Sequence, residues 1–187
     1  MVMMPLKLER AVQQVRRGGV IAYPTEAVWG LGCDPLNSKA VGRLLAIKQR
    51  PVEKGLILVA ASVEQFAPYL EHLSPQLLAK FSQVLPQPVT WLVSVNSFVP
   101  SWISGKFSSV ALRVSTHQVV VDLCRAVGGP VVSTSANKAG KEPALWPWVL
   151  QRQLGDELDY ILPGQLGGAV KPSEIRELIS DKVIRNG

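Results

Sequence analysis

Three short polar segments hold the side chains of this 187-residue sequence best suited to chemistry. The densest is Lys48-Gln49-Arg50-Pro51-Val52-Glu53-Lys54, with three cations in seven residues. A guanidinium grips phosphate oxygens through two parallel hydrogen bonds, whereas a lysine ammonium acts as a compact point charge. Cations at a helix end can also do no more than complement the helix dipole, a contribution of about 0.3 to 1 kcal/mol. The second segment, Ser133-Thr134-Ser135-Ala136-Asn137, puts three hydroxyls and an amide behind the apolar pair Val131-Val132. Short donors with backbone N–H groups nearby suit phosphate or carboxylate oxygens, although a turn or a helix cap uses the same residues. The third is Thr25-Glu26, directly after Pro24. Proline ends a strand ladder, so this hydroxyl and carboxylate project from a strand end, where open α/β sheets bind ligands.

No signature of covalent or histidine-metal catalysis accompanies them. The sequence lacks G-x-S-x-G and the phosphate-binding G-x-x-x-x-G-K-[ST], and Gly30-Leu31-Gly32 has no third glycine. Ser135-Ala136-Asn137-Lys138 matches S-x-x-K, but the companion motifs of penicillin-binding enzymes are missing. His72 and His117 stand alone, and Cys33 and Cys124 form no C-x-x-C, so buried free thiols are expected and no metal ligands. A chain without a nucleophile points to chemistry done by positioning and electrostatics.

Composition bounds the rest. Apolar residues make up 47% and charged residues 18%, which argues against disorder, and the length suits one domain over residues 1–187. No apolar run nears the roughly 18 residues of a membrane span, and the N-terminus reaches Lys7, Glu9 and Arg10 before a signal peptide fits, so a cytoplasmic location without membrane contact is expected. The net charge is +6. Nine basic and four acidic residues fall at or before Lys54, whereas the remaining 133 residues carry 11 basic and 10 acidic ones. A basic excess calls for an anionic partner without choosing among nucleotide, nucleic acid and membrane surface.

Several elements must position these segments. Leu6 to Arg17 has helical spacing and ends in Arg-Arg-Gly-Gly. Residues 20–23, 28–33, 56–60, 89–95, 110–114, 130–134 and 158–162 read as strands. Helices are expected from Ser38, as cap, to Lys48, after a capping box at Ser62 and Gln65, from Ser74-Pro75, over 117–127, and over 143–154 with Trp146, Val149, Leu150 and Leu154 as its apolar face. The tail from Ser173 reads as short and mixed. Irregular alternation predicts an α/β sheet with some antiparallel neighbours.

Taken in order, the motifs resemble the YrdC-like family in its short single-domain bacterial form. The matching stretches are Tyr23 to Pro35, Lys48 to Leu58, Ser108 to Val114, Ser133 to Asn137, Pro172 to Arg176 and the closing Ile184-Arg185-Asn186-Gly187. The resemblance implies a twisted open mixed sheet with flanking helices around a basic central cavity. It also implies condensation of ATP, L-threonine and bicarbonate or carbon dioxide to threonylcarbamoyl-adenylate and pyrophosphate. That product would feed a downstream threonylcarbamoyl-transferase complex that modifies tRNAs reading codons that start with A. Carried onto this sequence, Thr25, Arg113, Ser133 and Ser173 would hold threonine. Arg50, Lys54, Ser109, Ser135, Asn137 and Arg185 would hold ATP, with Lys48 and Arg50 catalytic beside the phosphates. Mg2+ would ride mainly on those phosphates rather than on protein ligands. Two positions depart from the family pattern: Gln87 replaces glycine in the turn Pro86-Gln87-Pro88, and Lys54 stands where longer relatives carry asparagine.

The rival from the residues alone is a non-catalytic module binding tRNA or double-stranded RNA. It would bind RNA with a salt slope of several phosphates, but only 6% of residues are aromatic and no base-stacking motif is present.

Overall fold

The computed structural model describes residues 5–85 and 87–186. In chain order the elements are α1 (Leu6–Arg16), β1 (Ile21–Pro24), β2 (Trp29–Gly32), α2 (Ser38–Lys48), β3 (Ile57–Ala60), α3 (Ala67–Leu70), α4 (Pro75–Phe81) and β4 (Val89–Ser94). There follow α5 (Ser101–Ser104), β5 (Ser109–Val114), α6 (Gln118–Val127), β6 (Val131–Ser135), α7 (Pro147–Leu154), β7 (Tyr160–Ile161), β8 (Glu174–Glu177) and β9 (Val183–Arg185). The strands form one mixed sheet in the order β7-β1-β2-β6-β3-β5-β4-β8-β9. Three pairs are parallel, β1 with β7, β3 with β5 and β4 with β8. No helix among the described residues is long and apolar enough to cross a membrane.

Both faces of the sheet are covered, which is why its central strands alternate between two apolar clusters rather than between apolar and polar residues. Leu58 and Ala60 of β3 pack with Leu44 of α2, Phe66 and Leu112 on one face. Val59 packs on the other with Val12 and Val15 of α1 and Val120 and Leu123 of α6. The two helices of that second face cover only part of it. Cross-strand partners share a face, so Val59, Arg113 and Val131 form one row and Ile57, Ala111 and Ser133 the next. Along β6 the side chains on this face run Val131, Ser133, Ser135, passing from buried packing to open polar floor. The uncovered part of this face is where a ligand can sit.

Local chemistry explains most elements. Asn37, not Ser38, caps α2, its side chain accepting from the Ala40 N–H at 3.1 Å, because Ser38 already lies in the first turn. Ser74 caps α4 as its Ser-Pro start predicts. At Ser62 the expected capping box does not form: Gln65 Oε1 accepts from the Ala61 N–H at 2.8 Å and its Nε2 donates to the Cys124 carbonyl, leaving a 3-10 turn and one turn of helix. The last helix starts at Pro147 rather than Pro143, since a proline at its first position forces Trp146 into extended backbone, φ −118° and ψ 141°. Leu150 and Leu154 are buried as expected, whereas Trp146 stands 62% exposed. The tail forms two paired strands, β8 beside β4 and β9 at the sheet edge. Both cysteines are buried free thiols that burial pushes up to about 12.

Candidate active site

A cavity of about 640 Å³ occupies the open part of the sheet face. Nine residues singled out from the sequence line it: Thr25, Glu26, Arg50, Arg113, Ser133, Thr134, Ser135, Ser173 and Arg185. They come from segments separated by up to 160 positions, and the sheet order is what gathers them.

Thr25 and Glu26 sit in the turn between β1 and β2. The Thr25 hydroxyl donates to the Val28 carbonyl at 2.7 Å, which locks the turn. Opposite this hairpin, β2 lies so close to β6 that a Cβ on Gly32 would stand 2.5 Å from the Val132 carbonyl, so only glycine fits there. Tyr23 completes the contact by donating to the same carbonyl at 2.9 Å.

Arg50 reaches the cavity because α2 ends in a left-handed residue, Gln49 at φ 52°, whose turn redirects the chain before Pro51. One Nη of Arg50 donates to the carbonyls of Lys54 and Gly55 at 3.2 and 2.9 Å, while its buried Nε has no acceptor among the described residues. Arg113, on β5, pairs with Glu26 at 3.2 Å, and its Nε is likewise buried without an acceptor. Burial raises the Glu26 carboxyl, but the Arg113 charge and the Ser115 hydroxyl outweigh it and hold the group below its ordinary range. Arg185 on β9 donates to the Ser173 carbonyl at 2.7 Å, and Ser173 shares a 2.7 Å hydrogen bond with the buried Thr90 hydroxyl. Partial burial, then the neighbouring Arg113 charge, draw Arg185 downward, and burial does the same to Arg50.

Four residues singled out from the sequence do not line the cavity. Lys48 is buried at 5% exposure, and its ammonium donates to the Ser135 carbonyl, the Asn137 carbonyl at 3.0 Å and Asn137 Oδ1 at 3.5 Å. Its own carbonyl accepts from the Ala139 N–H, so the lysine ties the loop after β6 to the end of α2. Burial, then the charge of Arg50, draw this ammonium down to about 8. Asn137 is consumed the same way, accepting from Ser135 Oγ at 2.6 Å and donating to the carbonyls of Lys138 and Lys141. Lys54 is exposed on the 3-10 turn that follows Arg50. Ser109 lies on the cavity face of β5, four residues before Arg113, outside the wall.

Sequence reasoning left Lys171, Glu174 and Gln87 out of the wall they help to line. Lys171 directly precedes a matching stretch, which was the one available signal for it. Gln87 lines the cavity, whereas its neighbour Pro86 lies outside the described residues. Among the described residues no group of three or more His, Cys, Asp and Glu side chains could hold a metal ion.

The fold and the site define an α/β protein whose mixed sheet holds an arginine-lined cavity. Residues 13–187 match a family model described as "Telomere recombination", that of Sua5, YciO and YrdC, and the chain belongs to this family. It is similar to the threonylcarbamoyl-AMP synthase of Cellvibrio japonicus, 52% identical over 179 residues that cover 96% of this chain and 95% of that protein. The Pseudomonas aeruginosa protein of the same name is 52% identical over 94% of each chain. Among solved structures, E. coli YciO superposes with a TM-score of 0.83 at 26% identity, over 98% of this chain and 91% of that one. P. abyssi Sua5 complexed with L-threonine also gives 0.83 at 26% identity, over 91% of this chain and 50% of that longer one.

Proposed function

We propose that this chain is an L-threonylcarbamoyladenylate synthase, a nucleotidyltransferase that joins ATP, L-threonine and bicarbonate or carbon dioxide into threonylcarbamoyl-AMP and pyrophosphate. One observation carries the reading: a chain similar over nearly its full length to enzymes of that name keeps the matching polar residues around one arginine-lined cavity.

The chemistry suits such a wall. The threonine amine adds to carbon dioxide to give a carbamate, and a carbamate oxygen attacks the α-phosphorus as the bond to pyrophosphate breaks. Negative charge spreads over phosphoryl oxygens, so fixed cations lower the barrier and no protein nucleophile is needed. Arg113, with the hydroxyls of Thr25, Ser133 and Ser173, holds threonine, its guanidinium pairing the carboxylate. Arg50, Arg185 and Ser135 hold the ATP phosphates, and Lys54 and Ser109 contribute at the margin of the wall. Lys48 and Asn137 act through the end of β6, which they fix and which carries Ser135. Mg2+ would be held mainly by the ATP phosphates, whose charge it would neutralise, because the Glu26 carboxylate is already engaged by Arg113 and Ser115.

The mixed anhydride formed is reactive toward water and amines, so an acceptor complex that modifies tRNA is its consumer in this reading. Purified protein supplied with ATP, Mg2+, threonine and bicarbonate should release pyrophosphate and form threonylcarbamoyl-AMP, detected by liquid chromatography. Pyrophosphate release that ignores threonine and bicarbonate would overturn the proposal.

A further inference from the structure

Glu26 is the one carboxylate among the described residues that is ion-paired to a cavity arginine. Its side chain comes from the β1–β2 turn and crosses to β5, three strands away in the sheet. There Oε2 lies 3.2 Å from Arg113 Nη1, and Oε1 accepts from the Ser115 hydroxyl at 2.6 Å. Arg113 and Ser115 are two residues apart and therefore on the same side of the chain. Oε1 is thus anchored by a hydrogen bond and Oε2 faces the guanidinium as an ion pair without a hydrogen bond, with the two side chains of the pair only 12% and 10% exposed.

The backbone of Glu26 is fixed independently. Its carbonyl accepts from the Ala169 N–H at 2.8 Å, and the Thr25 carbonyl accepts from the Gly167 N–H at 3.0 Å. A Cβ on Gly167 would meet the Glu26 Cα at 3.0 Å, so the strap of residues 164–173 presses directly on this residue. Neither end of Glu26 is free to move, and a long flexible arginine therefore has one preferred arrangement. Glu26 Oε2 faces Nη1 as its counter-charge, while Nε is buried and has no acceptor among the described residues. An arginine presents its donors in a planar fork, and the charge of Glu26 draws the Nη1 end of that fork toward it, which leaves Nε and Nη2 for a ligand.

We propose that Glu26 is a positioning residue for the amino-acid substrate, orienting the Arg113 guanidinium so that Nε and Nη2 remain to receive the substrate carboxylate. The proposal rests on the reading that Arg113 pairs threonine. Two carboxylates then share one cation, one fixed by the protein and one brought by the ligand. The ion pair with Glu26 offsets the burial of the arginine in the empty site, and the remaining donors account for recognition.

The test is steady-state kinetics of threonylcarbamoyl-AMP formation by the full chain, with threonine and ATP varied separately. Glu26→Gln keeps the shape and the Ser115 contact but removes the charge. It should raise the threonine KM tenfold or more while the ATP KM moves less than twofold and the thermal midpoint by no more than a few degrees. Glu26→Asp should recover part of the loss, and Ser115→Ala, which frees the carboxylate to swing, should raise the threonine KM by a smaller factor. A threonine KM that is unchanged or lower in Glu26→Gln overturns the proposal, since the carboxylate would then be a bystander or a competitor of the substrate. Equal rises in both KM values with a large fall in thermal midpoint overturn it too, because the role would be structural. Wild-type protein without threonine-dependent turnover would instead remove the enzymatic reading itself, and the wild-type control separates the two failures.

Discussion

Two cation-bearing regions of this protein use their charge in opposite ways. At the end of α2, Lys48 spends its donors on three oxygens of the loop after β6 and has little exposure left. Across the sheet face, Arg50 and Arg113 each keep a buried Nε without an acceptor among the described residues, on the wall of a large cavity. The first arrangement is a finished structural bond. The second is an unfinished one that a ligand oxygen can complete, since a buried donor without a partner costs about 1–3 kcal/mol.

The contrast breaks first at Arg50. Arg50→Ala should lower kcat/KM for ATP by roughly 10²- to 10³-fold, as removal of one charge-stabilising donor commonly does, while the urea unfolding midpoint stays close to wild type. Arg113→Ala should come next, raising the threonine KM about 10- to 100-fold for a lost charged hydrogen-bond pair of about 1.5–3 kcal/mol. Lys48→Met reverses the pattern: it should cost about 2 kcal/mol of stability by urea denaturation because the carbonyls of Ser135 and Asn137 lose their donor. Activity in that variant should fall only as far as the loop loosens.

A pH series sharpens the same point. The Lys48 ammonium releases its proton near pH 8 in the folded chain and near its ordinary 10.5 in the unfolded one. Between those values the unfolded state binds more protons, so wild-type stability should rise with pH relative to Lys48→Met, and a flat difference in urea midpoint would contradict this assignment. The smallest effect belongs to Lys54, which is exposed. Lys54→Ala should change ATP KM about two- to fivefold at low salt, and roughly 0.5 M salt should erase the difference because surface charge is screened.

The differences between sequence and structure have local causes. Helix α7 starts four residues late because Trp146 precedes a proline, and the Ser62 capping box gives way because Gln65 has a better partner in Cys124 across the fold. The strands β8 and β9 were illegible as such: Glu-Ile-Arg-Glu and Val-Ile-Arg carry no buried stripe, and their extended state comes from pairing with β4 and with each other. Of the site, the hydroxyl segment after β6 and the Arg50 turn could be read from residue type and neighbouring apolar runs. Glu26 could be seen as a polar group at a strand end, but nothing nearby in sequence announced Arg113 as its partner, 87 residues on.

Amino-acid order by itself determined the family, the central strands, the main helices and the polar segments that serve the site. These follow from local propensity, from apolar periodicity and from motifs whose members are close in sequence. Only the tertiary structure decided which cations line the cavity. That choice depends on strand order, cross-strand register and the reach of α1 and α6 over one sheet face, all of which are set by packing between distant segments. The basic excess before Lys54 therefore divides in space: Lys48 bonds the protein to itself, Lys54 faces solvent, and Arg50 joins Arg113 and Arg185 from the far side of the sheet.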